Sequence, residues 1–521
     1  MKTKRYALYF GIGAALLATV LLAVFSGKGE PGAPSPAGGQ SDGYFTEDDR
    51  NGDWDTSGAT VITLMGTDGK VQGDGAHFAD GNVYITSAGK YLVSGPLTDG
   101  SLIVDTADEG GVWLSLQGID LHAEDDAALL VRQAEKVFLT LAGGTENRIS
   151  SGETYADSAV SDGIDGAIYS RDSLTVNGSG ALSVTAGFKH GIVCNDDLVV
   201  TGGTLDVTAP QDTVHANDSF RFTDADLSLS AGDDAVTVEN DDRSDFIYLA
   251  GGALTVSSSY EGLEAATVTV AGGSVDITST DDGINAEKLI EITGGDTRVV
   301  NDGGTDADGL DSNGDIRIAG GKLFVSVPGE GPNSALDYGE ENGGTCRIDG
   351  GTVIACGGCQ MQKEISKDSR QAFLLRRMTG EAGSPLILQT TGGTVLVSEV
   401  IPCSFTAVII STPDMVLKTD YILIAGNQML AFVADNTSEI GEPDKTPPEL
   451  IGDPRKPSPH EGENEPPTQP SGDELPPMPD GNKHIQPGGS EGAQAGPGGE
   501  REERKGPPSP ERTEEAVTEE P

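Results

Sequence analysis

Leu205-Asp-Val207, Leu227-Ser-Leu229, Leu254-Thr-Val256 and Val275-Asp-Ile277 are versions of one strand, and Leu182-Ser-Val184 and Leu323-Phe-Val325 extend the series on either side. In each, apolar residues stand two apart, the period of a strand with one buried face. Each strand closes a unit of 21 to 27 residues, repeated from about Asp165 to Cys356, which opens on an Asp-rich turn and carries Gly-Gly or its equivalent before the closing strand. A unit of this length with no helical segment cannot bury its apolar face alone. It must stack on its neighbours as one coil of a solenoid.

Two further apolar columns run through the same repeat. The first is Ile192, Val214, Val236, Leu263, Ile284, Leu310 and Leu336; the second is Leu174, Leu198, Phe220, Ile247, Val268, Ile290 and Ile316. Three strands per coil predict an all-β fold, a right-handed parallel β-helix. Gly-Gly at 202-203, 251-252, 272-273, 294-295, 320-321 and 350-351 marks one corner, where a Cβ would clash or φ must be positive. Residues 58–360 form the expected β-helix, its entry coils beginning near Ile85 and running through Val112-Trp-Leu-Ser-Leu and Val137-Phe-Leu-Thr-Leu141. After Gly358 this punctuation stops. Alternating segments such as Phe373-Leu-Leu375 and Tyr421-Ile-Leu-Ile424 predict a small antiparallel β unit over 361–435.

The ends read differently. Lys2, Lys4 and Arg5 precede the apolar run Tyr6 to Phe25, so residues 1–26 are read as a signal peptide or, if uncleaved, a membrane-spanning anchor, with the remainder outside the cytoplasm. Residues 27–57 read as a Gly/Pro/Ser linker that turns acidic, and 436–521 as a disordered, acidic, Pro-rich tail. The net charge of −50 excludes nucleic acid and an anionic membrane surface as partners and favours cations. Only 5% of the residues are aromatic, which fits a narrow core of aliphatic ladders.

The chemistry written into the repeat is acidic. Two residues before the inward apolar residue stand Asp212, Asp234, Glu261, Asp282 and Asp308; one residue after it stand Glu264, Asn285, Asp311 and Asp337. Coils stack about 4.8 Å apart, and two carboxylates at that separation repel by roughly 1 kcal/mol even in water. Basic residues near these columns are sparse. Hard oxygen ligands from stacked turns suit Ca²⁺, and Glu287 and Asn313, two residues beyond Asn285 and Asp311, are placed to join them. Asp and Asn also favour tight turns for conformational reasons alone.

Other metal and cofactor motifs fail. Asp311-Ser-Asn313-Gly-Asp315 begins like an EF-hand loop, but Ile316 stands where that loop needs Gly and Lys322 where it needs Glu. Cys194, Cys346, Cys356, Cys359 and Cys403 supply no second Cys-x-x-Cys pair for zinc, and Cys346 falls at an inward strand position.

Several stretches carry a family resemblance: Lys90-Tyr-Leu-Val-Ser-Gly-Pro-Leu, Ser161-Asp-Gly-Ile-Asp-Gly-Ala-Ile-Tyr-Ser-Arg-Asp, Phe188-Lys-His-Gly-Ile, Asp281-Asp-Gly-Ile-Asn, and Leu310-Asp-Ser-Asn-Gly-Asp followed by Ala335-Leu-Asp-Tyr. Together, over about residues 58 to 360, they resemble the clostridial carbohydrate-binding β-helix family. The resemblance implies a polysaccharide-lyase-like fold, binding of plant cell-wall glycans such as cellulose and pectin, and calcium. It does not say which residues ligate.

Three functions follow as expectations. The leading one is an extracellular or cell-surface protein that binds acidic or neutral cell-wall polysaccharide without cleaving it, with Ca²⁺ as a structural and ligand-bridging ion. The second is a calcium-dependent lyase of the pectate type, which needs a base beside the metal; Lys189-His190 is the basic pair with suggestive placement. The third is a rigid surface stalk. An exposed aromatic platform separates a glycan binder from a stalk, and Phe188, Lys189 and Tyr260 are the candidate carbohydrate contacts, although aromatic residues at coil corners commonly pack.

Overall fold

The computed structural model describes residues 43–439 apart from 305 and 306. The apolar run Tyr6 to Phe25, the first part of the expected linker and the tail beyond 439 lie outside the described residues. Among the described residues no helix is long and apolar enough to cross a membrane.

The chain is a parallel β-solenoid of about ten turns with three strands per turn. The three apolar columns stack in register: Val214 pairs with Val236, Ile284 with Leu310 and Leu310 with Leu336 in the first sheet. In the second sheet Phe220 pairs with Ile247 and Ile290 with Ile316, and in the third Leu205 pairs with Leu227 and Leu254 with Val275. Parallel pairing at constant register puts like side chains on top of one another, so a single continuous apolar core runs through the coils. Cys194 and Cys346 are buried in that core, and burial pushes both thiols up to about 12. All five cysteines are free.

The Gly-Gly corner uses its two residues differently. The second takes positive φ, as at Gly273 (82°) and Gly295 (77°). The first faces the coil below: a Cβ at Gly294 would stand 2.2 Å from the Ala271 carbonyl oxygen. Both demands in the sequence reading are therefore present, one on each glycine.

Three excursions cover parts of the outer faces. Residues 43–57, read as the acidic end of a linker, lie along the second sheet. Asp49 is buried there, accepting from Lys136 Nζ and Thr175 Oγ1 at 2.7 Å each, and Trp54 Nε1 donates to Thr140 Oγ1 at 2.9 Å. Residues 152–165, with the short helix Asp157–Ser161, cover the early part of the first sheet through Tyr155, Ala159 and Ile164. The C-terminal unit covers the end of the third sheet, where Phe324 and Ile354 point outward into a second apolar core. Its strand Phe405–Ser411 pairs antiparallel with Cys346–Gly357, and Ser384–Thr390, Val395–Ile401, Asp420–Ala425 and Gln428–Val433 form a separate antiparallel sheet. Thr437–Glu439 pairs with Phe373–Gly380, so ordered chain extends past 435.

Candidate metal and carbohydrate site

Outward residues of the first sheet form one row, coil upon coil. It runs Ile103, Leu130, Tyr169, Val193, and then His215, Thr237, Glu264, Asn285, Asp311 and Asp337. The first four lie under the 152–165 excursion. From His215 onward the row is polar.

Beside it runs the corner row that ends in Asp212, Asp234, Glu261, Asp282 and Asp308. A glycine often separates this row from the strand, and a Cβ at Gly283 would stand 2.1 Å from Val299 Cγ1 in the core. With that residue turned against the core, the acid before it and the residue after the apolar position reach the same side of the sheet. Their carboxylates meet in two groups, Asp234–Glu261–Glu264 and Asp308–Asp311–Asp337, with ligand atoms within 4.8 Å of one another in each. Asp212 joins neither. It lies instead with His190 and His215.

The corner acids are also built into the backbone. Asp212 Oδ1 accepts from the amide of Asp234 at 3.3 Å, Asp234 Oδ1 from Glu261 at 2.8 Å, and Asp282 Oδ1 from Asp308 at 2.7 Å; Asp308 Oδ1 takes the amide of Ser334. Each of these carboxylates thus spends one oxygen on the next coil; Asp234 and Asp308 also reach the row beside them, whereas Asp282 enters neither carboxylate group. Asn285 Nδ2 donates to Glu261 Oε2 at 3.0 Å. Glu287 and Asn313 are exposed and enter neither carboxylate group.

Charge compensation differs along the row. Asp337 Oδ1 is 2.6 Å from Lys363 Nζ, a cation from beyond the last coil. At the other end, burial alone would push Asp212 up, but its hydrogen bonds and charge interactions with His190 and His215 outweigh burial and hold it well below the usual carboxylate range. Between these ends, burial pushes Glu261 up to about 9, helped by the charges of Glu264 and Asp234. Burial pushes Asp308 up to about 8 against the Ser334 amide, with Asp282, Asp337 and Asp311 adding to the rise. Asp234 is pushed up to about 7 by burial, against the Glu261 amide and with the charges of Asp212 and Glu264. Glu264 is raised as well, by burial and then Glu239 and Asp212, against the charges of Arg243 and His215.

The remaining candidates sit elsewhere. Lys189 has φ of 44° and pairs with Asp165 Oδ2 at 3.0 Å, and Phe188 packs on Tyr155 with ring centroids 4.7 Å apart. Tyr155 and Tyr169 are buried, whereas Tyr260 is 46% exposed at the corner just before Glu261. His215, His190 and Lys363 are the participants that a search for carboxylates passes over. The first two obey the same rule as the acids: His215 follows the inward Val214, and His190 stands two before Ile192.

A β-solenoid with an open acidic row on one sheet defines the class of protein. The family model for carbohydrate-binding domain-containing proteins matches residues 79–271 and 266–360, more than half of the chain, and the chain belongs to that family. A carbohydrate-binding domain-containing protein of Acetivibrio thermocellus is 37% identical over 137 residues, 26% of this chain. The matched stretch is 48% of that relative's length. A solved structure described as the polysaccharide lyase-like protein from C. thermocellum, gadolinium derivative, is similar with a TM-score of 0.42 and 26% identity, over 50% of this chain and 97% of that chain.

Proposed function

We propose that the open half of the first sheet's outer face binds acidic cell-wall polysaccharide outside the cell, without cleaving it, through Ca²⁺ held by Asp234–Glu261–Glu264 and Asp308–Asp311–Asp337. The observation that carries this reading is the pair of carboxylate groups whose ligand atoms lie within 4.8 Å of one another, where burial pushes Asp234, Glu261 and Asp308 up to between about 7 and 9. Cooling that repulsion takes protons or a cation. Grouped carboxylate oxygens on stacked turns suit a hard divalent ion that accepts six to eight oxygens. A bound ion also converts a surface that repels uronates into one that attracts them, with Tyr260 beside it as a sugar-stacking face. Asp212 leaves the calcium set because its second oxygen faces two imidazoles. Neutral glycans such as cellulose would engage the same face through the tyrosine without the bridging ion.

The test is binding of the full chain to pectin fragments and cellulose, with calcium and with chelator. Uronate binding is expected to require calcium and to be lost in Glu261→Gln with Glu264→Gln. Binding that survives both chelator and this variant would sink the reading. Lys189, the base the lyase reading would use, is tied to Asp165 at 3.0 Å, so release of unsaturated product is expected at background.

A further inference from the structure

At the boundary between the covered and the open half of the row, two imidazoles and a carboxylate converge. Asp212 Oδ2 lies 3.1 Å from His190 Nδ1 and 3.0 Å from His215 Nδ1, and the two rings are 5.0 Å apart between centroids. We infer that His190, Asp212 and His215 form a binding site for a divalent transition metal of the zinc class, separate from the carboxylate groups proposed to hold calcium.

The donor set is the first argument. Imidazole nitrogens favour Zn²⁺, Cu²⁺ or Ni²⁺ over Ca²⁺, and two imidazoles with one carboxylate are a common three-ligand set for such ions. Spacing is the second. Ligands about 2.0–2.1 Å from a zinc-like ion stand roughly 3.0–3.4 Å from each other at tetrahedral to octahedral angles, and both N···O separations here fall in that range. The third is what lies behind the ligands. Ligating carboxylates are commonly held by a hydrogen bond of their own, and Asp212 Oδ1 is held by the Asp234 amide, which fixes the carboxylate's orientation. His190 Nε2, by contrast, lies 4.0 Å from Asp165 Oδ2, beyond hydrogen-bond reach. Finally, the site is sheltered but reachable, with side-chain exposures of 12% for His190, 8% for Asp212 and 23% for His215. Three protein ligands at a partly open surface leave room for solvent or a sugar hydroxyl on the ion. His190 Nδ1 also accepts from the Asp212 amide at 3.3 Å, a bond that a metal on this nitrogen would displace.

The experiment titrates Co²⁺ and Zn²⁺ into the chelator-treated full chain in the presence of excess calcium. One Co²⁺ per chain is expected, with visible bands characteristic of nitrogen and oxygen ligands, displaced by Zn²⁺. His215→Gln and His190→Gln should each weaken binding at least about 100-fold. Asp308→Asn with Asp311→Asn, in the farther carboxylate group, should leave it unchanged, which separates failure of this site from failure of the calcium reading. Circular dichroism and melting of each variant control for folding. Absence of a stoichiometric Co²⁺ site, or Co²⁺ binding that is intact in folded His190→Gln and His215→Gln proteins, would overturn the assignment.

Discussion

The outward row of the first sheet passes through two environments without any change in the backbone that carries it. Its early half, Ile103 to Val193, is apolar and is sealed by the Tyr155–Ile164 excursion; its late half, His215 to Asp337, is polar and carries no apolar seal of that kind among the described residues, with Lys363 reaching Asp337 at its far end. Inside the coil both halves present the same Leu, Ile and Val ladder. The inward face is thus set by what a stack of coils must bury, while the outward face is free to differ. Function is legible where that freedom has been used to place charge that burial disfavours.

The comparison breaks most visibly at the cover. Tyr155 is buried and donates to the Gly166 carbonyl at 2.9 Å, so Tyr155→Ala removes both an aromatic filler and a satisfied hydrogen bond. The expected cost is about 3–5 kcal/mol, the range for large aromatic truncations, read as a fall in the urea midpoint. A loss below about 1 kcal/mol would mean that the excursion is not what seals the early half. In the metal-free protein near neutral pH Glu261→Gln should act the other way and raise the midpoint, because an amide spares the folded state the cost of protonating a carboxyl that is ionised in the unfolded chain.

The late half has a pH signature of known sign. Folded Asp234, Glu261 and Asp308 titrate near 7, 9 and 8, above their unfolded values of about 4. As pH rises from there toward 9 the unfolded chain has released protons that the folded chain still holds, so stability falls. Asp212 works in the opposite sense, but its depressed value confines that effect to acid below its unfolded value. Melting of the chelated protein is therefore expected to drop between pH 5 and 9. Calcium should reverse the drop, contributing about 2.7 kcal/mol at a hundredfold excess over its dissociation constant. A chelated protein whose melting temperature stays flat over that range would remove the electrostatic basis of the site, and a calcium effect retained in Asp308→Asn with Glu261→Gln would place the ion elsewhere.

How far these features can be read from sequence follows from the range of the forces involved. Inward columns and Gly-Gly corners are legible because each coil meets its demands locally, and the pairings Val214 with Val236 and Leu205 with Leu227 fall where the alignment puts them. One coil hides from the pattern: Thr297 takes the inward place between Val275 and Leu323, fully buried. The carboxylate groups are legible for the same local reason. The covers are not, because Asp49 finds Lys136, and Asp337 finds Lys363, only through the tertiary fold. A Gly- and Ser-rich acidic stretch carries no mark of the partner that buries it. The histidines of the boundary site did obey the column rule, and escape it only when the rule is restricted to acids.

The smallest expected effect concerns Lys189, which stands at the edge between the two halves. Its ion pair with Asp165 is half-exposed, at 43% and 26% for the two side chains, and exposed pairs are worth about 0.2–1 kcal/mol. Lys189→Ala should therefore shift melting by a degree or two at most. It should leave uronate binding within about twofold, since the amine is spent on Asp165 and lies at a corner two coils before the first carboxylate group. Loss of a true general base costs roughly 100-fold or more, a change far outside that range. The decisive measurement is the rate of unsaturated-product release from polygalacturonate with calcium, for the unmodified chain and for Lys189→Ala. Background release in both fits a binding face with no base beside the metal. Calcium-dependent release that collapses in the variant would show that the Asp165 pair opens in the complex, and would turn the open half of the row from a binding surface into a catalytic one.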